Sequence, residues 1–314
     1  MPPAYTFASV ESARLPPKPL HLAIGMFDGV HLGHRAVIEA AVSSARRSGG
    51  LAGVLTFRPH PSVLFRPTSP TRLILDGPNQ ARQLASLGVD VLLTHPFTRE
   101  FASLKAEEFL PWLKRYLPEL AAVYVGENWR FGAGRKGDVA LLVAEGRRMG
   151  LSVYSAAPVN LDGEPVASTR IRALLEVGDV AAANTLLGYS YFAAGAVVAG
   201  KRLGRTIGFP TLNLPWAPEL RPRYGVYRVQ IRRAGGALPG IANYGVLPTV
   251  EQDASPQLEI HVLGPCPYDA GDEIMVEWLS FIRPEKKFAS LDELRAQIAR
   301  DVEAVRAALA ANPS

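Results

Sequence analysis

The chain has 314 residues, of which 48% are hydrophobic and 20% charged, so it can fold as two domains and should lack extended disorder. Its single cysteine, Cys266, excludes an internal disulfide and leads us to expect a cytoplasmic protein. No apolar stretch is long enough to cross a bilayer, and we expect no signal peptide in residues 1–19. The net charge of +5 suits nucleic acid and polyphosphate ligands equally, and because the basic residues are scattered, charge alone does not decide between them.

The first half of the chain alternates strand-like and helix-like segments. Apolar strand candidates occupy residues 20–27, 51–57, 89–93, 121–126 and 151–157. Helical periodicity follows each of them, in the segment that Gly49 ends and at residues 80–87, 106–116, 138–149 and 168–187, the last with a break near Gly178. This alternation predicts a parallel sheet with helices on both faces. Ligands of such sheets bind at the carboxyl ends of the strands, which is where the loop after the first strand lies.

The second half has a different pattern. Strand candidates follow one another without helices, at residues 192–198, 208–214, 226–232, 240–245, 258–263 and 273–282. Consecutive short strands predict a small antiparallel barrel. Ser290 and Glu293 form the capping box of a final helix, which should extend to about residue 309. We therefore expect an α/β domain, then a β-barrel domain, then a C-terminal helix.

The strongest local signal is the segment GMFDGVHLGH at residues 25–34. A strand enters a glycine-containing loop that opens a helix, and the N–H groups of a helix start favour anions. His31 and His34 flank Gly33, so both rings can face a phosphate and stabilise charge on a transferred phosphoryl group. An equally good interpretation makes them a capping and a surface histidine. Asp28 has two open roles, an Asx turn and a ligand contact.

A second helix start, STRIR at residues 168–172, brings together hydroxyl and guanidinium groups that suit a phosphate. On its own, Ser-Thr at this place is simply a good N-cap. Together with residues 25–34, however, the segment resembles the adenylyltransferase domain of the bacterial bifunctional riboflavin kinase/FAD synthetases. The segments TFRPHP at residues 56–61 and GENWRFG at residues 126–132 are also similar to this family.

The resemblance implies a Rossmann-like nucleotidyltransferase domain that transfers an adenylyl group from ATP to FMN. His31 and His34 would contact the ATP phosphates and stabilise the transition state at the α-phosphorus. Asn128 would help to bind the flavin. The other ATP- and phosphate-binding residues implied are Gly25, Phe27, Gly33, Ser168, Thr169 and Arg172.

The second half carries its own signature, VAGKRLGRTIGFPTLN at residues 198–213. Glycines let the backbone wrap a phosphate, and Thr and Asn supply oxygens of the kind that Mg²⁺ binds. The competing interpretation is a glycine-rich hairpin with Thr and Asn in a turn. The segment closely resembles the riboflavin kinase domain of the same family, as do GVY at 225–227, NYGVLPT at 243–249 and RPEKKF at 283–288.

In that family, a glutamate in a later barrel strand takes the proton of the ribityl 5′-hydroxyl, and the matching residue is Glu259. Strand alternation places Glu259 on one face with His261 and turns Ile260 to the core. The resemblance also implies that Thr211 and Asn213 hold Mg²⁺. The glycines implied to bind the phosphates are Gly200, Gly204 and Gly208.

The resemblance extends over nearly the whole chain and implies two domains, at residues 1–187 and 188–314. The expected reactions are phosphorylation of riboflavin to FMN and adenylylation of FMN to FAD, with release of pyrophosphate. The expected ligands are ATP, Mg²⁺ and the flavins riboflavin, FMN and FAD. No nucleic-acid or membrane partner is expected, and self-association stays open.

Three positions depart from the family pattern. Arg58 stands where an acidic residue is common, and Ala167 stands where a second serine is usual. A longer turn, YDAG at residues 268–271, separates a tyrosine and a glycine that are usually adjacent. None of these positions is assigned chemistry. The loops at residues 59–76 and 246–257 are candidates for movement over ligands.

Three alternative functions stay open at this point. In the first, only the kinase is active and the front domain is a scaffold, which the presence of His31, His34 and Arg172 disfavours. In the second, the basic charge marks a nucleic-acid-binding module, although the barrel strands show no regular aromatic platform. In the third, the front domain serves a different nucleotidyl transfer, which the kinase half disfavours.

Overall fold

The computed structural model describes residues 2–200, 204, 207–233, 236–246 and 256–311. Most of the predicted mobile loop at 246–257 lies outside the described residues, as do Lys201, Arg202 and Arg205 of the glycine-rich segment. The chain forms two compact units, Met1–Ser168 and Thr169–Ser314, and each is described by itself.

The first unit contains a six-stranded parallel sheet. Its strands are β1 (Tyr5–Phe7), β2 (Leu20–Ile24), β3 (Leu51–Arg58), β4 (Val91–Pro96), β5 (Leu120–Gly126) and β6 (Ser152–Ala156). They are arranged in the order β1-β4-β3-β2-β5-β6. All residues of β2 are buried, and its neighbours are β3 and β5. Central parallel strands are covered on both faces, which is why β2 and β3 are mostly apolar.

Helices and a hairpin complete the first unit. The helices are α1 (Leu32–Ser48), α2 (Pro61–Phe65), α3 (Gly77–Ser86), α4 (Arg99–Ala102), α5 (Ala106–Tyr116) and α6 (Val139–Arg148). The hairpin strands are β7 (Asn160–Leu161) and β8 (Glu164–Pro165). α1 directly follows the loop after β2 and packs on β2, β3 and β5. Gly49 ends α1 as predicted, and its φ of 66° is the left-handed conformation that is common just after a helix.

The second unit is built around six antiparallel strands. They are β9 (Phe192–Ala196), β10 (Leu212–Pro215), β11 (Gly225–Arg233), β12 (Gly236–Gly245), β13 (Gln257–Val262) and β14 (Glu273–Pro284). Their order is β10-β13-β12-β11-β14-β9. A bridge between Val198 and Asn213 joins the two edges of the sheet, so the barrel is nearly closed.

Within the described residues, helices flank the barrel strands on both sides in the chain. α7 (Ser168–Val177) and α8 (Val180–Leu187) precede the barrel, and α9 (Leu291–Ala311) follows it. The break predicted near Gly178 separates α7 from α8. α9 is fixed on the barrel by a buried ion pair, in which Arg283 donates to Asp301 at 2.8 Å. A small apolar cluster joins the same elements: Val226, Ile241, Val302 and Val305.

The predicted fold is confirmed: a parallel α/β sheet, an antiparallel barrel and a C-terminal helix. The strand predicted at 208–214 is wrong in its first residues and begins at Leu212, because Gly208 occupies a turn with a φ of 86°. The proline-rich start, for which no element was predicted, contributes β1, which pairs with β4.

Candidate functional site

The loop after β2 has unusual backbone conformations at two residues. Gly25 donates its N–H to the carbonyl of Leu55 in β3 at 3.1 Å. Phe27 and Val30 then adopt positive φ angles of 48° and 41°, which β-branched residues such as valine rarely do. Both side chains are buried. Strained backbone of this kind persists only where the surrounding structure holds it, and it clusters at functional sites.

Side chains from β3 and α3 hold this loop in place. Nε2 of Gln80 donates to the carbonyl oxygens of Met26 and Phe27, at 2.9 and 3.1 Å. The hydroxyl of Thr56 also donates to the carbonyl of Met26, at 3.0 Å. The guanidinium of Arg58 donates to Oε1 of Gln80 at 3.2 Å. Arg58, a departure from the family pattern, is therefore part of the support of the loop.

Asp28 anchors the loop to a segment far away in sequence. Its buried carboxylate accepts the backbone N–H groups of Ile74 at 2.8 Å and Leu75 at 3.4 Å. The sequence offered an Asx turn or a ligand contact for Asp28, whereas these hydrogen bonds join it to another segment. Its carbonyl accepts the hydroxyl of Ser168 at 3.0 Å, so Ser168 also contacts the loop.

His31 and His34 lie together at the N-terminus of α1. Their rings stack with centroids 3.6 Å apart and planes 16° from parallel. His31 is the N-cap, and its Nδ1 accepts the backbone N–H of His34 at 3.3 Å. The edge of the His34 ring meets Phe27, with centroids 5.4 Å apart. The interpretation of His31 as a capping residue is therefore correct, and both histidine rings lie at the N-terminus of the helix, the end that attracts anions.

The other predicted phosphate-binding residues lie at two helix starts. Gly33 is in the first turn of α1, where a β-carbon would lie 3.3 Å from Cε1 of His31. Ser168 begins α7, with Ala167 half-buried just before it. Thr169 and Arg172 follow on α7, the first exposed and the second half-buried.

Asn128 lies exposed in the turn after β5. The N–H of the preceding Glu127 donates to the carbonyl of Ala156 at 2.9 Å, which fixes the start of the turn. The rings of Trp129 and Phe131 stack just beyond it, with centroids 4.6 Å apart and planes 15° from parallel. The exposed Asn128 side chain is therefore followed directly in the sequence by two stacked aromatic rings.

In the second unit, Glu259 lies at the centre of a polar row that crosses three strands. Its cross-strand neighbours are Asn213 on β10 and Asn243 on β12. Leu258 and Ile260, on either side of it in β13, are fully buried, so Glu259 faces away from the core as predicted. Desolvation raises the pKa of the Glu259 carboxyl above its ordinary value. A carboxylate with a raised pKa is a stronger base.

The end of the glycine-rich segment leads into this row. A β-carbon at Gly200 would overlap the side-chain amide of Asn213, so the close approach of the two requires glycine. At Gly204 a β-carbon would lie 3.4 Å from the hydroxyl of Thr211. Gly208 lies in the turn between them and has a positive φ. The structure therefore brings glycine backbone close to Thr211 and Asn213.

The oxygen donors near Glu259 fit a magnesium ion bound together with a nucleotide. Thr211 and Asn213 offer a hydroxyl and an amide oxygen, and Mg²⁺ takes oxygen ligands. His261, two residues after Glu259, hydrogen-bonds through Nδ1 to the carbonyl of Pro210 at 2.8 Å and fixes the backbone before Thr211. Within the described ranges, no group of three His, Cys, Asp or Glu side chains is placed to hold a metal ion.

Sequence reasoning gave no role to three residues that contact these sites. Gln80 supports the loop after β2, and nothing in its sequence context indicated this. The side-chain amide of Asn243 interacts with the carboxylate of Glu285 as a donor. Desolvation raises the pKa of Glu285, and this interaction opposes that rise. Asn243 and Glu285 lie in segments that resemble the riboflavin kinase domain, and this resemblance is the sequence feature that could have indicated a role for them.

Comparison with known proteins assigns a family to each half. The family model described as FAD synthetase matches residues 15–170, and that described as riboflavin kinase matches residues 187–309. The bifunctional riboflavin kinase/FMN adenylyltransferase of Escherichia coli (strain K12) is 40% identical over 89% of this chain and 90% of that protein. The chain belongs to the bifunctional riboflavin kinase/FMN adenylyltransferase family.

Other members of the family and one solved structure are similar along nearly the whole chain. The bifunctional riboflavin kinase/FMN adenylyltransferase of Listeria monocytogenes is 34% identical over 91% of both chains. A crystal structure described as a macrolide-efflux protein from Streptococcus pneumoniae has a TM-score of 0.84 and 29% identity, covering 96% of this chain and 98% of that one. Among the helices described here, none is long and apolar enough to cross a membrane.

Proposed function

We propose that this riboflavin kinase and FMN adenylyltransferase, which produces FMN and FAD, uses a separate site for each reaction. One observation supports the division. The stacked histidines lie within the FAD synthetase match, and the polar row around Glu259 lies within the riboflavin kinase match. ATP is the phosphoryl donor at one site and the adenylyl donor at the other.

At the first site, a phosphate oxygen of FMN attacks the α-phosphorus of ATP, and the bond to the leaving pyrophosphate breaks. His31 and His34 donate to the phosphate oxygens on which charge develops, with help from the N–H groups at the start of α1. The loop backbone at Gly25, Phe27 and Gly33 lines the phosphates. Ser168, Thr169 and Arg172 hold the triphosphate, and Asn128 contacts the flavin. Fixed donors act without rearrangement, which suits the tightly held loop.

At the second site, Glu259 accepts the proton of the ribityl 5′-hydroxyl as its oxygen attacks the γ-phosphorus of ATP, and ADP leaves. The raised pKa of Glu259 suits it to this proton transfer. The backbone at Gly200, Gly204 and Gly208 surrounds the ATP phosphates. Positioning of the two substrates supplies much of the rate in phosphoryl transfer.

Magnesium belongs with the nucleotide in this proposal. Thr211 and Asn213 would hold the ion, which neutralises charge on the ATP phosphates when bound. The glycine contacts of both side chains support this assignment, because they place phosphate-binding backbone close to the oxygen donors.

The organisation of the chain completes the proposal. We place the domain boundary at 187/188, and the riboflavin kinase match begins at residue 187. The contact pattern instead divides the chain after Ser168 and groups α7 and α8 with the barrel. We further propose that the enzyme acts in the cytoplasm, as its single cysteine suggests, and binds neither nucleic acid nor membranes.

The test is a time course with purified protein, riboflavin, ATP and Mg²⁺, in which the flavins are separated by chromatography. We expect FMN to rise first and FAD to follow. A parallel reaction that starts from FMN should make FAD without a lag. Omission of Mg²⁺ and addition of a chelator should stop FMN formation. FMN that accumulates without FAD in both reactions would contradict the role of the first site.

A further inference from the structure

The residue after β14 places a carboxylate over β12. Glu285 follows Pro284, the last residue of β14, and lies against Gly245 at the end of β12. A β-carbon at Gly245 would overlap Oε1 of Glu285, so the carboxylate can occupy this place only because residue 245 is glycine. The position of Glu285 is therefore defined by the strand beneath it.

Glu285 is connected to Glu259 through one residue. Asn243 lies two residues before Gly245 on β12 and therefore on the same face, and its side-chain amide interacts with the Glu285 carboxylate as a donor that opposes the rise in the pKa of that carboxyl. Asn243 is the direct cross-strand neighbour of Glu259, and residues opposite each other in an antiparallel pair have β-carbons about 5 Å apart. On the other side of Glu259 lies Asn213. The carboxylate of Glu285 thus contacts one of the two amides that flank Glu259.

A carboxylate partner determines which way an amide points. Asparagine has a donor and an acceptor on the same side chain, and rotation by half a turn exchanges them. An ionised carboxylate only accepts hydrogen bonds, so Glu285 selects the orientation in which Nδ2 of Asn243 faces it. Oδ1 then points away from Glu285 and can accept a hydrogen bond from a substrate hydroxyl next to Glu259.

We propose that Glu285 is a positioning residue of the kinase, which holds the Asn243 amide in the orientation that receives a ribityl hydroxyl beside Glu259. This inference rests on the proposed role of Glu259 as the base. Glu285 itself does not touch the reacting atoms. Its loss frees the amide to turn and to present N–H groups where the substrate needs an acceptor.

The experiment compares kinase kcat and KM for riboflavin in five variants, and adenylylation of supplied FMN in the same preparations confirms that each is folded. Glu285→Ala should lower kinase kcat/KM about tenfold, as expected for one hydrogen bond. Glu285→Gln retains an acceptor oxygen and should stay within about twofold of the parent. Gly245→Ala displaces the carboxylate and should reproduce the defect of Glu285→Ala.

A double variant distinguishes positioning from a separate contribution. If Glu285 acts through Asn243, Glu285→Ala combined with Asn243→Ala should be no slower than Asn243→Ala alone. Full additivity, or a Glu285→Ala enzyme as active as the parent, would overturn the inference. An active Glu259→Gln enzyme would instead overturn the proposed function, so the two failures are distinguishable.

Discussion

The two sites are built in different ways. The centre of the first is a continuous stretch of chain, residues 25–34, in which strand end, strained loop and helix start follow one another, and the proposed contacts of Asn128 and of the start of α7 are added to it. The second is assembled across strands, from Asn213, Glu259 and Asn243 in β10, β13 and β12. A contiguous site depends on the conformation of one loop, whereas an assembled site depends on strand register. Substitutions should therefore affect the two activities separately and through different physical causes.

The largest expected effect is at the base of the second site. Glu259→Gln keeps the shape of the side chain but cannot accept the proton, so FMN formation should fall by about 10²–10⁴-fold. The adenylylation of supplied FMN should be unchanged. Both rates are measured by chromatography of the flavins. A parallel fall of both rates would indicate that the sites are not separate.

The next effect concerns the stacked histidines. His31→Asn retains an oxygen that can cap α1 but removes the imidazole, so FAD formation from FMN should fall by about a hundredfold while stability changes little. His31→Ala removes the cap as well and should also lower the melting temperature. If His31→Asn synthesised FAD at the parental rate, His31 would be a cap only.

A smaller effect should follow from loosening the loop after β2. Asp28→Ala leaves the N–H groups of Ile74 and Leu75 without this acceptor and should destabilise the first unit by about 1–3 kcal/mol. Asp28→Asn retains one carbonyl oxygen and should lose less. Denaturant unfolding gives the stabilities, and kinase activity serves as the control. Equal stability of the Asp28→Ala and parent proteins would contradict the anchoring role.

The smallest effect concerns how the stability of the first unit depends on pH. Burial among aromatic rings lowers the pKa of His95 below 6.5, with Glu11 opposing, and its Nδ1 accepts the N–H of Val10 at 3.3 Å. As the pH falls below 6.5, His95 of the unfolded chain binds a proton, while the buried His95 of the folded chain stays neutral. The free energy of unfolding therefore decreases as the pH falls below this value.

The melting temperature reports this loss. It should fall between about pH 7.5 and about pH 5.5, and His95→Phe should make the fall smaller. His21, whose pKa is also lowered by burial, accounts for a remaining part. The same fall in the His95→Phe and parent proteins would remove His95 as a cause.

Much of this organisation could be predicted from the sequence, because it is local. Hydrophobic periodicity located the sheet and the barrel, and the residues from Gly25 to His34 contained the loop and both histidines of the first site in one segment. Resemblance to a family located Glu259, since a single glutamate in a strand is otherwise unremarkable. Both predictions depended on residues that are neighbours in the chain.

The long-range contacts could not be predicted in this way. The hydrogen bonds of Asp28 to Ile74 and of Gln80 to Met26 join residues about 50 positions apart, and no periodicity encodes such pairs. The contact between Glu285 and Gly245 depends on how β14 and β12 are placed in the barrel. β1 was also missed, because three residues in a proline-rich stretch form a strand only when β4 is available to pair with.

The central claim is that two independent sites act in sequence, and mixing two variants tests it directly. Glu259→Gln alone should convert almost no riboflavin, and His31→Asn alone should convert riboflavin to FMN but make little FAD. The two proteins together, with riboflavin, ATP and Mg²⁺, should make FAD, because FMN released by one is adenylylated by the other. A mixture that accumulates FMN without FAD, while Glu259→Gln still adenylylates supplied FMN, would contradict transfer through free FMN. A Glu259→Gln protein unable to adenylylate supplied FMN would contradict the separation of the sites.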